Sequence, residues 1–157
     1  PHATWECMIY PPMGLPPGRA WGDSSHPDTA MAHLLSGYIW GVQPLSPGFG
    51  TFEAIPHPCD LQWTEGSVPT PHGPIAFSWS AAERAFAAEL RSPHGTTGTI
   101  GLPKRGAHSF AVRLNGRAIY DSASASSVHG DGIDQDEHYV YIRRLGPGTH
   151  KAELLIR

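Results

Sequence analysis

Residues 111–120 read AVRL-NG-RAIY, and the two central residues decide how this stretch folds. A two-residue type I′ turn needs positive φ at both centres, which Asn115 and Gly116 tolerate better than any other pair. The flanking segments are therefore the two strands of a hairpin. Working outward, residues 139–143 read YVYIR, an alternation that lets one face pack inward while the other stays wet. Gly146-Pro147-Gly148 makes another turn before a last candidate strand at 150–156. On the other side, turn signals separate candidate strands at 51–55, 60–65, 75–79, 84–91, 97–102, 109–114 and 117–122. About nine short strands at this spacing make a small antiparallel β-sandwich with its own core.

The segment before the strands reads differently. Met31, Leu34, Leu35, Tyr38 and Ile39 recur at helical spacing and define one apolar face over residues 27–40. Pro27 suits the first helical position and Asp28 the positive end of the dipole. Gly41 stops the helix, and Pro44 and Pro47 prevent it from resuming. Gly37 within it permits close packing. Residues 1–25 are rich in Pro, Gly and aromatic side chains, including Trp5, Tyr10 and Trp21, and read as a long ordered loop. One helix has too few neighbours here to bury its apolar face. Either it docks on the sandwich or it belongs to a larger parent, and a start at Pro1 points to processing or to excision from a longer chain.

Composition agrees and excludes several classes. Of 157 residues only 16% are charged, while 18 are Gly and 16 Pro, a mix that favours strands and turns over a helical bundle. A net charge of -3 gives no reason to expect nucleic acid or an anionic membrane as partner. No apolar run is long enough for a transmembrane helix and no signal peptide opens the chain; neither a secreted nor a cytoplasmic location follows. Ten histidines are scattered without i, i+4 or finger-like spacing, so no metal or other cofactor is expected. The acidic cluster at Asp131, Asp134, Asp136 and Glu137 lacks the EF-hand order and reads as a solvated loop. Residues 122–127, a small-residue run, read as a flexible connection, and no G-x-S-x-G elbow is present. Cys7 and Cys59 are expected to be buried free thiols.

Residues 41–80 carry a more specific signal. Their G-V-x-P-L-x-P-G-F run, D-L-x-W-x-E-G step and V-P-T-P-H-G-P-I segment together resemble the barrel-to-sandwich junction of glycoside hydrolase family 78, the α-L-rhamnosidases. The resemblance implies a mainly β chain: an antiparallel β-sandwich preceded by one helix and a long loop left from an (α/α)6 barrel. Residues 1–47 would then close the catalytic barrel region and residues 48–157 form the C-terminal β-sandwich.

The same resemblance implies chemistry. Thr4-Trp5-Glu6 is similar to the family's barrel step whose glutamate is the general base, which makes Glu6 the candidate base here. Inverting hydrolysis needs that carboxylate to activate water and a second, protonated carboxyl to release the leaving oxygen. No segment resembles the family's acidic motif, and Glu53, Asp60 and Glu65 sit on strands or turns, so the catalytic acid is expected in the remainder of the barrel, outside this chain. Ser24-Ser25-His26 is similar to the segment before the last barrel helix, which implies that His26 hydrogen-bonds the sugar. Trp5 and Trp21 can stack on the apolar face of a deoxysugar. The partner is then a glycoside with a terminal α-L-rhamnosyl group. The other reading is a stand-alone β-sandwich that binds a glycan or scaffolds an assembly without catalysis.

Overall fold

The computed structural model describes residues 34–124 and 132–157, and the described residues from Ser36 onward form one compact unit. Eleven strands are present among them. They are β1 (Val42–Pro44), β2 (Thr51–Ala54), β3 (Trp63–Val68), β4 (Ile75–Ala82), β5 (Ala85–Ser92) and β6 (Thr97–Pro103), then β7 (Phe110–Leu114), β8 (Arg117–Asp121), β9 (Ile133–Gln135), β10 (Tyr139–Leu145) and β11 (Gly148–Ile156). They divide into a five-stranded sheet in the order β1-β2-β6-β10-β9 and a six-stranded sheet in the order β3-β4-β5-β11-β7-β8. Every neighbouring pair is antiparallel except β2 and β6, which run parallel.

Alternation places the core. Ile75, Phe77 and Trp79 on β4 point inward with Phe86, Ala88 and Leu90 on β5 and Leu154 on β11. Phe52, Ala54, Ile100, Leu102, Val140 and Ile142 close the layer from the five-stranded sheet. Each fully buried side chain of this size contributes about 1.5–3 kcal/mol. Trp79 fills its place by shape, since its indole nitrogen has no hydrogen-bond partner among the described residues.

The Asn115-Gly116 turn forms as its residues require, with φ of +51° and +79° and Leu114 paired with Arg117. Gly146-Pro147-Gly148 does more than reverse the chain: it carries it from β10 in one sheet to β11 in the other. The edge strand expected at 60–65 lies further on, at Trp63–Val68, because Gly66 pairs with Phe77 and continues the ladder. Two three-residue strands, β1 and β9, add to the nine expected.

Leu35–Trp40 is helical, wound as a π-turn, with the Gly41 amide donating to the Ser36 carbonyl at 3.1 Å. The rest of the expected helix, 27–33, lies outside the described residues. Two glycines then set the junction. Gly41 has φ +97°, and a Cβ there would stand 2.4 Å from the backbone of Ile55; the Gly41 carbonyl accepts from the Ile55 amide at 2.9 Å. Gly66 leaves room for the Trp40 indole, which a Cβ would meet at 3.0 Å. Trp40 is only 8% exposed and donates from its indole nitrogen to the Phe77 carbonyl at 2.8 Å. Cys59 is exposed and free, not buried as expected; it sits in a tight turn at φ +50°, outside the core. Cys7 lies outside the described residues.

Candidate functional site

The residues that the sequence singles out for chemistry, Glu6, Trp5, Trp21 and His26, lie outside the described residues, as do Thr4, Ser24 and Ser25. Of the other acidic side chains weighed, Glu53 lies on β2, Glu65 on β3 and Asp60 in the turn after Pro58. Among the described residues no group of three or more His, Cys, Asp or Glu side chains could hold a metal ion, and no helix is long and apolar enough to cross a membrane.

The acidic cluster is committed internally where it is described. Asp134 pairs with Arg143 at 2.8 Å. Asp136 accepts from the Tyr141 hydroxyl at 2.6 Å and from the His138 and Tyr139 amides at 2.7 Å each. Those donors, the Tyr141 hydroxyl foremost, stabilise the charged form and hold the carboxyl at about 2. Burial, reinforced by the same bond, pushes the Tyr141 phenol up to about 12. Ser122 accepts from the Phe110 amide at 2.8 Å, so the first residue of the small-residue run is anchored; 125–131 lie outside the described residues.

The outer face of the five-stranded sheet carries an aromatic row with partners at every step. His57 stacks on Tyr38 at 3.8 Å between ring centroids and tilts against Tyr139 at 5.8 Å. Tyr139 stacks on Tyr141 at 6.0 Å, and Arg143 lies 5.1 Å from the Tyr141 ring centre. Tyr139 donates its hydroxyl to the Pro56 carbonyl at 3.0 Å. Ile55 covers Gly101, where a Cβ would meet its side chain at 3.0 Å.

The outer face of the six-stranded sheet is open among the described residues. Register places two rows of side chains across it. Trp63 on β3 pairs with Ser80 on β4, Ser80 with Ala87 on β5, and Ala87 with Glu153 on β11. One step along the strands, Glu65 pairs with Ser78, Ser78 with Glu89, and Glu89 with Lys151. Short side chains over β4 and β5 leave a depression of about 370 Å³ between the longer ones on β3 and β11. Trp63 is 63% exposed. Glu89 is held from two sides: it accepts from Arg91 at 2.8 and 3.0 Å and meets Lys151 at 3.2 Å. The Arg91 and then the Lys151 hydrogen bonds keep its carboxyl below the ordinary range. Sequence reading passed over this face. The available signal was parity: Trp63 and Glu65 share a face of β3 that alternates with the inward Thr64 and Gly66.

Residues 41–116 match the family model described as the bacterial alpha-L-rhamnosidase C-terminal domain. The solved α-L-rhamnosidase from Dictyoglumus thermophilum superposes with a TM-score of 0.71 at 23% identity, over 80% of this chain and 13% of that one. The Streptomyces avermitilis α-L-rhamnosidase, solved in complex with L-rhamnose, gives a TM-score of 0.59 at 18% identity, over 79% of this chain and 11% of that one. At these identities the likeness is one of fold, and the chain spans a small part of either enzyme. No curated protein sequence matches the chain. Residues 41–116 thus resemble the C-terminal domain of the bacterial α-L-rhamnosidases, and the two-sheet sandwich shares its fold with part of those enzymes.

Proposed function

We propose that this chain is the C-terminal portion of an inverting α-L-rhamnosidase that removes terminal α-L-rhamnosyl groups from glycosides. The match of residues 41–116 to the rhamnosidase C-terminal domain carries the reading. The exposed apolar side chains at the start of the described chain support it: Leu34 and Leu35 are 56% and 54% exposed, as expected of a helix face that packs against the remainder of a catalytic barrel. The boundary between barrel and sandwich in this reading falls between residues 47 and 48.

In this reading Glu6 is the general base. Its carboxylate takes a proton from water as the oxygen bonds to the anomeric carbon. A second carboxyl, from the remainder of the barrel, protonates the departing glycosidic oxygen. His26 hydrogen-bonds a sugar hydroxyl, and Trp5 and Trp21 stack on the deoxysugar's apolar face. No cofactor is required.

The test is hydrolysis of a chromogenic α-L-rhamnoside. The 157-residue chain alone is expected to give no turnover, with or without Glu6→Gln. When the chain is joined to an upstream rhamnosidase barrel, Glu6→Gln should lower kcat by about 10²–10⁴-fold. NMR of the first product formed should show inverted anomeric configuration. Unchanged kcat in that variant would remove Glu6 from the mechanism, and no turnover in any barrel-containing form would favour a non-catalytic module.

A further inference from the structure

We propose that the open outer face of the six-stranded sheet is a binding platform for a neutral oligosaccharide, with Trp63 as its stacking residue and the depression over β4 and β5 as its floor. The proposal does not rest on the Glu6 chemistry.

Four observations carry it. First, Trp63 is 63% exposed, and its indole has neither a hydrogen bond nor a ring partner among the described residues, whereas Trp40 and Trp79 are buried. A large flat apolar surface left in water is what the C–H face of a pyranose covers. Second, Ser78 and Ser80 lie next to it on β4. Their short hydroxyls both donate and accept, which suits a ligand whose own groups do both. Third, strands about 4.8 Å apart put β3 and β11 about 14 Å from each other. That is wide enough for a short run of pyranose rings lying along the strands, with Glu65 on one wall and Lys151 on the other. Fourth, Glu89 is fixed by Arg91 and Lys151, so it offers hydroxyl donors an oriented carboxylate at little entropic cost.

The charges select among ligands. The lining carries Glu65, Glu89, Glu153 and Lys151, and Arg91 is bound to Glu89, so three carboxylates face two cations. That balance repels a uronic-acid or sulfated polymer and leaves a neutral glycan as the fitting class. A protein partner fits less well: apart from Trp63 the lining is mostly hydroxyl, carboxylate and ammonium, whereas the buried centre of a stable protein interface is depleted in charge.

The experiment is a 1H–15N titration of the 157-residue chain with neutral trisaccharides built on glucose, mannose and galactose, and with trigalacturonate as the anionic comparison. At least one neutral trisaccharide should shift the Trp63 indole N–H and the Ser78 and Ser80 amides. Trp63→Ala should weaken that binding about tenfold or more, while amide shifts elsewhere show the fold intact. Ser80→Leu, which fills the floor and keeps the indole, should weaken it as well, and Glu6→Gln should leave it unchanged. The proposal is overturned if no neutral trisaccharide moves Trp63, if Trp63→Ala binds as well as the parent chain, or if trigalacturonate binds more tightly than the neutral sugars. A concentration-dependent dimer abolished by Trp63→Ala would assign the face to a second copy of the chain and overturn it equally.

Discussion

The two outer faces of the sandwich hold aromatic side chains under opposite conditions. On the five-stranded sheet Tyr38, His57, Tyr139 and Tyr141 stack in sequence, and the hydroxyls of Tyr139 and Tyr141 are bonded to Pro56 and Asp136. On the six-stranded sheet Trp63 has no ring or hydrogen-bond partner among the described residues and stands above a floor of serine and alanine. The first arrangement is explained by what it holds together. It fastens the 55–57 segment and the helical turn before Gly41 onto the sheet. The second contributes almost nothing to holding the fold together, and the difference separates aromatic surface that is structural from aromatic surface that waits for a ligand.

The contrast breaks first at Gly41. Alanine there takes a positive φ that costs about 1–2 kcal/mol and drives its Cβ into the Ile55 backbone 2.4 Å away, which forces the covering segment off the sheet. Overpacking adds about 1–3 kcal/mol, so Gly41→Ala should cost roughly 3 kcal/mol in denaturant unfolding. A loss below 1 kcal/mol would show that the covering segment is not fastened as described. Tyr139→Phe is a milder probe of the same face. It removes the bond to the Pro56 carbonyl and should cost about 1 kcal/mol. Trp63→Ala on the open face should change stability by less than about 0.5 kcal/mol, as for a surface side chain without partners. Equal losses for Tyr139→Phe and Trp63→Ala would erase the distinction between the faces.

What the sequence made legible follows from where its signals are local. The Asn115-Gly116 turn needs two adjacent residues, and both adopt the positive φ their types allow. The alternation in YVYIR places Val140 and Ile142 inside and Tyr139 and Tyr141 outside, as the burial of β10 shows. Short and non-local features escaped. Val42–Pro44 and Ile133–Gln135 are too brief to show a period, and one of them ends in proline. The parallel pairing of β2 with β6 joins segments with three strands between them, and no local pattern announces it. Gly66 lies just beyond the strand expected at 60–65, and its close approach to the Trp40 indole depends on a contact distant in sequence. The exposed thiol of Cys59 belongs to the same class, because burial depends on a turn that residue type alone does not fix. For the candidate site, the T-W-E and S-S-H segments point to Glu6 and His26, which lie outside the described residues. The Trp63 platform required knowing which strands are neighbours.

The smallest expected effect lies in the turn between β9 and β10, at the far end of the aromatic row. Asp136 is held at about 2, with the Tyr141 hydroxyl the leading cause and the Tyr139 and His138 amides behind it. A carboxyl whose folded value lies below its unfolded value near 3.9 adds stability that is complete above that unfolded value. That contribution is lost as pH falls from about 4 through 2. Tyr141→Phe deletes the leading donor and leaves both amides. The Asp136 midpoint, followed by carboxyl 13C shifts, should therefore rise but stay below the ordinary aspartate value, and the acid-dependent part of stability should shrink with it. Trp63→Ala, on the other sheet, should leave the same midpoint where it is. An Asp136 midpoint that ignores Tyr141→Phe would mean that the row's last partner is the turn backbone and not the ring. The closed face would then owe its order at that end to the β9–β10 hairpin and not to its aromatic side chains.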